Sequence, residues 1–294
     1  MSPTTARAAR RRSPRPRGRG ERGPGASVAL HATLVAAVLV SLFPIAWLLL
    51  TSLKPRAGWL STELELFRDP SLGNYARVLG ETGFPGWLLN SALVAGLTMV
   101  LGVFLAATTG YAVSRFRFPG YRGVMWLLLV TQMFPVAILI VPLYNLMAGL
   151  GLLNRIPGLV IAYMTVAVPF CAWMMKSYFD SIPRELDEAG MVDGLSPFGA
   201  FWRVVLPLAR PGLAVTAFYS FMTAWGEVAY ATVFMTGEEN HTLGAGLQLF
   251  VGQHWSDWGL LTAAAVLIAV PASVVFLLVQ RHLVTGLTAG ATKA

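Results

Sequence analysis

Side chains able to do chemistry are few in this chain of 294 residues, and they are unevenly placed. Four carboxylates, Glu185, Asp187, Glu188 and Asp193, crowd into one polar segment, and one further acid, Glu227, interrupts an apolar run. The four histidines, His31, His241, His254 and His282, are scattered without H-E-x-x-H spacing or cysteine companions, so no metal site is supported. None of the three lysines, Lys54, Lys176 and Lys293, sits in the G-x-x-x-x-G-K-[ST] context of a phosphate-binding loop, and G-x-S-x-G is absent. The single cysteine, Cys171, lies in an apolar run and is read as an inert buried thiol. No catalytic residue, metal ligand or bound cofactor is therefore assigned. What the acid cluster can do is recognise a basic partner.

The elements that carry these residues are set by composition. Charged residues make up 12% of the chain and hydrophobic ones 55%, where a soluble domain carries about 25% charge. A soluble globular domain and bulk disorder are both excluded, which leaves an integral membrane protein. Six charge-poor runs approach the about 20 apolar residues that a helix needs to cross a bilayer: Val28 to Leu53, Trp87 to Val113, Gly123 to Ala148, Gly158 to Phe179, Gly212 to Thr236 and Gly259 to Gln280. They are too continuous for the alternation of a membrane barrel. Gly149 to Pro157 carries the glycines, asparagine and proline of a turn between the third and fourth runs.

Arginine and lysine then orient the spans. The N-terminal tail, Ser114 to Arg122, Lys176 to Arg210 and the C-terminal tail together hold 17 of the 22, against five in the alternate connections. Both termini are expected in the cytoplasm. Residues 1–27, with eight arginines and several prolines and glycines, read as a disordered arm able to lie on anionic membrane lipid; no nucleic-acid partner is expected. Residues 28–281 form the membrane domain and 282–294 a cytoplasmic tail. The 237–258 connection faces outward. Arg10 to Arg12 could open an export signal, but the following run is too long for a signal core and no small-residue cleavage site closes it.

The acid cluster lies in the 180–211 loop, on the side where positive charge prevails. Two short helices are expected there: one from about Pro183 to Gly194, and one capped by Ser196, started by Pro197 and ended by Pro207. Phe198, Phe201, Trp202 and Val205 recur at helical spacing as an apolar stripe. Ala189 and Gly190 leave room for close approach of another surface. Two readings stand from the residues alone. The loop is an amphipathic hairpin resting on the membrane, or it is a docking element for a cytoplasmic partner; the acids favour docking, because carboxylates suit an anionic lipid surface poorly.

Glu188-Ala189-Gly190, Asp193-Gly194 and Leu206-Pro207 resemble the EAA loop of ABC-importer permeases, with Gly190 in place of the second alanine. Asn74-Tyr75, Asn90-Ser91, Gly110-Tyr111-Ala112, Arg115, Phe118-Pro119-Gly120, Pro135, Pro142-Leu143-Tyr144, Thr242-Leu243, Gly246-Leu247, Pro271 and the Gly286 to Ala291 run are similar to the MalG-type permeases of maltose-type sugar uptake. The likeness runs from about Val28 to the C-terminus.

The resemblance implies an all-α membrane protein with six transmembrane helices in the type I ABC-importer permease fold. It implies a second homologous permease, two ATPase subunits that use ATP and magnesium, and an extracytoplasmic solute-binding protein. Glu188, Ala189, Gly190, Asp193, Gly194, Leu206 and Pro207 would then couple the permease to the ATPase, with Pro207 and Pro211 stiffening the joint to the next span. Thr242, Leu243, Gly246 and Leu247, within the outward loop, would meet the binding protein or belong to a passive loop. The Gly286 to Ala294 tail is similar to one that approaches the ATPase interface. Glu227 stands where the family more often reads W-N-E, and two roles stay open for it: hydrogen bonding between helices, or lining the pathway. Trp126, Phe134, Tyr163, Trp173 and Tyr219 could stack on a sugar or pack in the interior and interface. A permease for another solute, such as a glycerol phosphoester, and a secondary transporter are the competing functions; the latter would call for internal repeats or charges in several spans. The location implied is a bacterial or archaeal cell membrane.

Overall fold

The computed structural model describes residues 24–55, 70–251 and 257–291. Most of the expected arm, residues 1–23, and part of the outward loop, residues 252–256, lie outside the described residues, as do 292–294. Two compact units divide the chain, residues 1–48 and 49–294. Helix α1, Pro24–Ser52, provides the described part of the first unit, and it begins inside the segment read as arm because proline is accommodated in a first helical turn. Val38, Leu42 and Ile45 on it are all more than half exposed, a surface suited to lipid or another helix.

Among the described residues the second unit is helical apart from its connections. Helix α2 (Gly73–Gly80) packs against α13 (Trp258–Ala291), which closes the described chain, and α3 (Phe84–Arg115) and α6 (Ile156–Asp180) pack closely. Gly110 of α3 makes the α3–α6 contact possible, since a Cβ there would sit 2.8 Å from the Lys176 nitrogen and 2.9 Å from the Met175 Cβ. Tight approach through small residues is how helices associate where lipid replaces water. Four helices, α1, α3, α6 and α13, are long and apolar enough to cross a membrane, and up to six spans result if two bent pairs, residues 121–149 and residues 197–225, are counted as one each.

Two of the expected spans are broken. The run Gly123 to Ala148 is α4 (Tyr121–Thr131) and α5 (Val136–Gly149), bent by 107°. Pro135 explains the position of the break: it donates no hydrogen bond and disfavours helical backbone at Phe134. The run Gly212 to Thr236 is α10 (Arg210–Trp225) and α11 (Ala229–Phe234), interrupted at residues 226–228. The turn at Gly149 to Pro157 is present, with Gly151 at φ 66° and Asn154 at φ 53°. The helix α13 continues through most of the segment read as a tail.

Buried side chains form two clusters along α3. One near its N-terminal half includes Trp87, Val94, Tyr163, Trp225 and Tyr230. The other, near its C-terminus, includes Ala106, Tyr111, Cys171, Phe179, Phe201 and Val205. Each backs one of the two loops singled out by the sequence, so α3 is the frame on which both are built.

Candidate coupling site at the 180–211 loop

The loop folds as the two short helices expected, with one irregularity. Helix α7 spans Glu185–Val192, and Gly194 turns the chain with φ 88°. Ser196 caps the next segment, its hydroxyl accepting from the Gly199 N–H at 3.1 Å. That segment is α8 (Pro197–Ala200), a π-helical turn over Phe201–Val205 and the short α9 (Leu206–Leu208). Pro207 therefore does not end the helix at its own position. It sits in the last turn, where it cannot donate to the Arg203 carbonyl, and the wider turn, with the Leu206 N–H reaching back to the Phe201 carbonyl, absorbs the conflict. The chain then bends by 81° into α10.

The two faces of α7 differ. Glu185, Glu188, Ala189 and Val192 follow i, i+3, i+4, i+7 spacing and are all exposed, Val192 at 87%. Asp187 and Gly190, three apart, face inward. Gly190 does not leave room for a foreign surface as expected; a Cβ there would meet Val204, Leu195 and Ala200 of the loop's own second half at 3.4 to 3.6 Å. Ala189, Asp193 and Gly194 remain at the surface. The apolar stripe divides likewise: Phe201 and Val205 are buried, whereas Phe198 and Trp202 are exposed. Leu206 is partly buried against the second core cluster.

Asp187 is the member of the acid cluster that the sequence left without a separate role. The Tyr111 hydroxyl donates to its Oδ1 at 2.7 Å, and the Arg115 Nε stands 2.9 Å from its Oδ2 as a charge contact rather than an aligned hydrogen bond. Arg115 also donates to the Ile182 carbonyl at 3.0 Å, Arg184 donates to the Ser114 carbonyl at 2.8 Å, and the Ser114 hydroxyl donates to Asp180 at 2.6 Å. The last residues of α3 are thereby stitched to the start of the loop. A cavity of about 160 Å³ opens beside this joint, lined among others by Tyr111, Arg115, Asp187, Glu188 and Met191. The sequence signal was present, since Tyr111 and Arg115 belong to the quoted motifs, but no partner could be named for them.

At the opposite end of α3 the 237–251 segment is pinned. The Asn90 amide donates to the Glu239 and His241 carbonyls at 2.9 and 3.0 Å, and the Leu243 N–H donates to the Ser91 hydroxyl at 2.8 Å. Asn154 accepts from the Gly237 N–H at 2.9 Å. The four outward-loop candidates do not form an accessible patch. Thr242 and Leu243 are 3% and 1% exposed, and Gly246 of helix α12 (Leu243–Gly246) lies under the Trp87 ring, only 2.2 Å from where a Cβ would be. Leu247 is half-buried. Within the described 237–251 segment the exposed residues are Glu238, Glu239, Gln248, Leu249 and Val251.

Glu227 lies in the break between α10 and α11, where its two carboxylate oxygens accept from the Tyr230 and Ala231 N–H groups at 2.9 and 3.2 Å. It satisfies backbone donors that the interrupted helix leaves open. Of the aromatic candidates Tyr163 is fully buried, Tyr219 packs at a tilt against Phe170 with ring centroids 4.4 Å apart, and Trp126, Phe134 and Trp173 are exposed. Among the described residues no group of three histidine, cysteine or acidic side chains is placed to hold a metal ion.

Residues 98–288 match the family described as binding-protein-dependent transport system inner membrane component. The chain is similar to the sulfoquinovosyl glycerol transport system permease protein SmoH of Agrobacterium fabrum, at 34% identity over 88% of this chain and 92% of that protein. It is also similar to the maltose/maltodextrin transport system permease protein MalG of Vibrio vulnificus, at 37% identity over 90% of this chain and 95% of that protein. Among solved structures, a chain of a bacterial ABC transporter involved in import of the acidic polysaccharide alginate shares the fold, with TM-score 0.76, 24% identity, and coverage of 87% of this chain and 95% of that one. Fold, apolar helices and family match together identify a multi-pass membrane protein and a transport subunit: the chain belongs to the family of binding-protein-dependent transport system inner membrane components.

Proposed function

We propose that this chain is one permease of an ABC importer for a sugar or oligosaccharide, embedded in a bacterial or archaeal cell membrane. In this reading it makes six spans, α4 and α5 together counting as one and α10, entered through its 81° bend from the 197–208 segment, as another, with both termini in the cytoplasm. A second homologous permease completes the path. Two ATPase subunits, which bind ATP and magnesium themselves, dock on the 180–211 loop, and a solute-binding protein delivers substrate from outside.

The observation that carries the reading is the two-sided α7. Its outer face offers Glu185, Glu188, Ala189 and Val192 to a partner, while Asp187 on its inner face is tied to α3. A helix resting on anionic lipid would gain nothing from that arrangement of carboxylates. Closure of two ATPases would draw paired α7 helices together and turn the path between the two permeases outward; hydrolysis would reverse it. Stiffness at the joint comes from the Asp187–Arg115–Tyr111 network rather than from Pro207 and Pro211 alone. Contact with the binding protein falls to the exposed residues of the outward loop, Glu238, Glu239, Gln248, Leu249 and Val251, with Thr242, Leu243, Gly246 and Leu247 holding that loop in place.

Carbohydrate as the substrate class rests on the relatives, whose names specify a sulfoquinovosyl glycerol and maltodextrins. The test is reconstitution. The permease, its partner permease, the ATPase and the binding protein encoded beside it are assembled in proteoliposomes, and the ligand that co-purifies with the binding protein is identified. ATP-dependent uptake of a carbohydrate is expected; a non-carbohydrate ligand, or uptake that needs no ATPase, contradicts the proposal.

A further inference from the structure

Helix α3 differs from the other long helices in having no internal proline. Proline occurs at Pro44 in α1, Pro169 in α6 and Pro271 in α13, whereas Pro85 of α3 lies in its first turn, where it does not interrupt the helix. At 1.5 Å per residue its 32 residues make a rod about 48 Å long. Both ends are fastened to loops by side chains. At the C-terminal end Tyr111 and Arg115 hold Asp187 of α7, at 2.7 and 2.9 Å. At the N-terminal end Asn90 and Ser91 hold the backbone of His241 and Leu243, at 3.0 and 2.8 Å.

We propose that Asp187, Arg115 and Tyr111 are positioning residues through which movement of α7 is passed to α3, and that Asn90 and Ser91 pass it on to the outward loop. The inference deepens the importer reading and rests on it. A joint made of a charge contact and a hydroxyl donor to one buried carboxylate resists both sliding and rotation of α7 against α3, because either motion separates charges with little water to replace the contact. Docking of α7 on an ATPase and coupling of α7 to α3 are then carried by different faces of one helix and can be lost separately. Energetic linkage runs both ways, so a binding protein seated on the outward loop would also bias α7.

The experiment uses the full transporter in lipid nanodiscs. Spin labels are placed at Gln248→Cys on the outward loop and Leu79→Cys on α2, both exposed, in a Cys171→Ser background. The distance between them is measured without nucleotide and with ATP bound but not hydrolysed. A nucleotide-dependent change is expected in the parent protein. It should collapse in Asp187→Asn, in Tyr111→Phe, which removes only the hydroxyl, and in Asn90→Ala. The ATPases should still co-purify with each variant. Transport per ATP hydrolysed should fall by roughly 5- to 150-fold, the usual span of a coupling between distant sites, and Arg115→Lys should retain more of it than Arg115→Gln. A full distance change in both Asp187→Asn and Tyr111→Phe overturns the proposal, as does its absence in the parent. Loss of the ATPases from the parent protein when Glu188 is intact would instead overturn the docking reading, so the two failures are distinguishable.

Discussion

The two loops attached to α3 use their motif residues in opposite ways. In the 180–211 loop the EAA-like residues Glu188, Ala189, Asp193 and Gly194 stay at the surface while Gly190 of the same motif turns inward, and a neighbouring acid, Asp187, does the anchoring. In the 237–251 segment the motif residues Thr242, Leu243 and Gly246 are themselves the anchor, and the residues free to meet a partner lie beside them. A recognisable motif can thus mark either the contact surface or the part that holds a contact surface still. Burial decides which.

Substitutions can break this contrast or sharpen it. The largest effect is expected for Asp187→Ala, which strands the largely buried Arg115 guanidinium; a loss of about 3–5 kcal/mol is expected, read as reduced thermal stability in detergent, with Asp187→Asn milder. A tolerance equal to that of Glu188→Ala would erase the distinction between the two faces of α7. Next comes Gly246→Ala. The added methyl overlaps the Trp87 ring, so about 1–3 kcal/mol should be lost and protease cleavage within 237–251 should rise. If Gly246→Ala is silent in stability yet abolishes binding-protein association, Gly246 is a contact residue after all.

Smaller effects follow. Glu227→Gln keeps one acceptor for the first turn of α11 but loses the charge, and about 1 kcal/mol is expected, with uptake largely retained. A complete loss of uptake at unchanged stability would return Glu227 to the pathway. Smallest in stability is Glu188→Lys, expected within about 0.5 kcal/mol because the side chain is exposed at the edge of the cavity beside the joint. Its functional effect should nonetheless be loss of ATPase association and of uptake, which makes it the counterpart of Asp187→Ala.

Helical spans were legible because a bilayer demands long apolar runs, and the apolar character of α1, α3, α6 and α13 survives any detail of packing. The breaks were not. Pro135 could be seen, but the 107° angle between α4 and α5 depends on what each half packs against. Glu227 could be seen as an intramembrane acid, yet its service to the Tyr230 and Ala231 N–H groups exists only once the helix is interrupted. In the docking loop the Ser196 cap followed from local chemistry. Helical spacing alone separates Glu185, Glu188, Ala189 and Val192 from Asp187 and Gly190, so the two faces of α7 were available in the sequence; which one faces α3 required Tyr111 and Arg115, more than 70 residues away. The outward loop shows the same limit, since the amide of Asn90 and the ring of Trp87 claim His241 and Gly246 across about 150 residues.

The central claim is that the exposed face of α7 meets the ATPase while the motif of the outward loop is held inside the permease. Cysteine cross-linking in the assembled transporter tests it most directly, with a short bis-maleimide, a Cys171→Ser background, a cysteine introduced at Glu188 or at Thr242, and one on the ATPase surface. A permease–ATPase adduct is expected from the Glu188→Cys protein, and no adduct with either the ATPase or the binding protein from the Thr242→Cys protein. An adduct with the binding protein from Thr242→Cys, together with none from Glu188→Cys across a scan of ATPase positions, would contradict it.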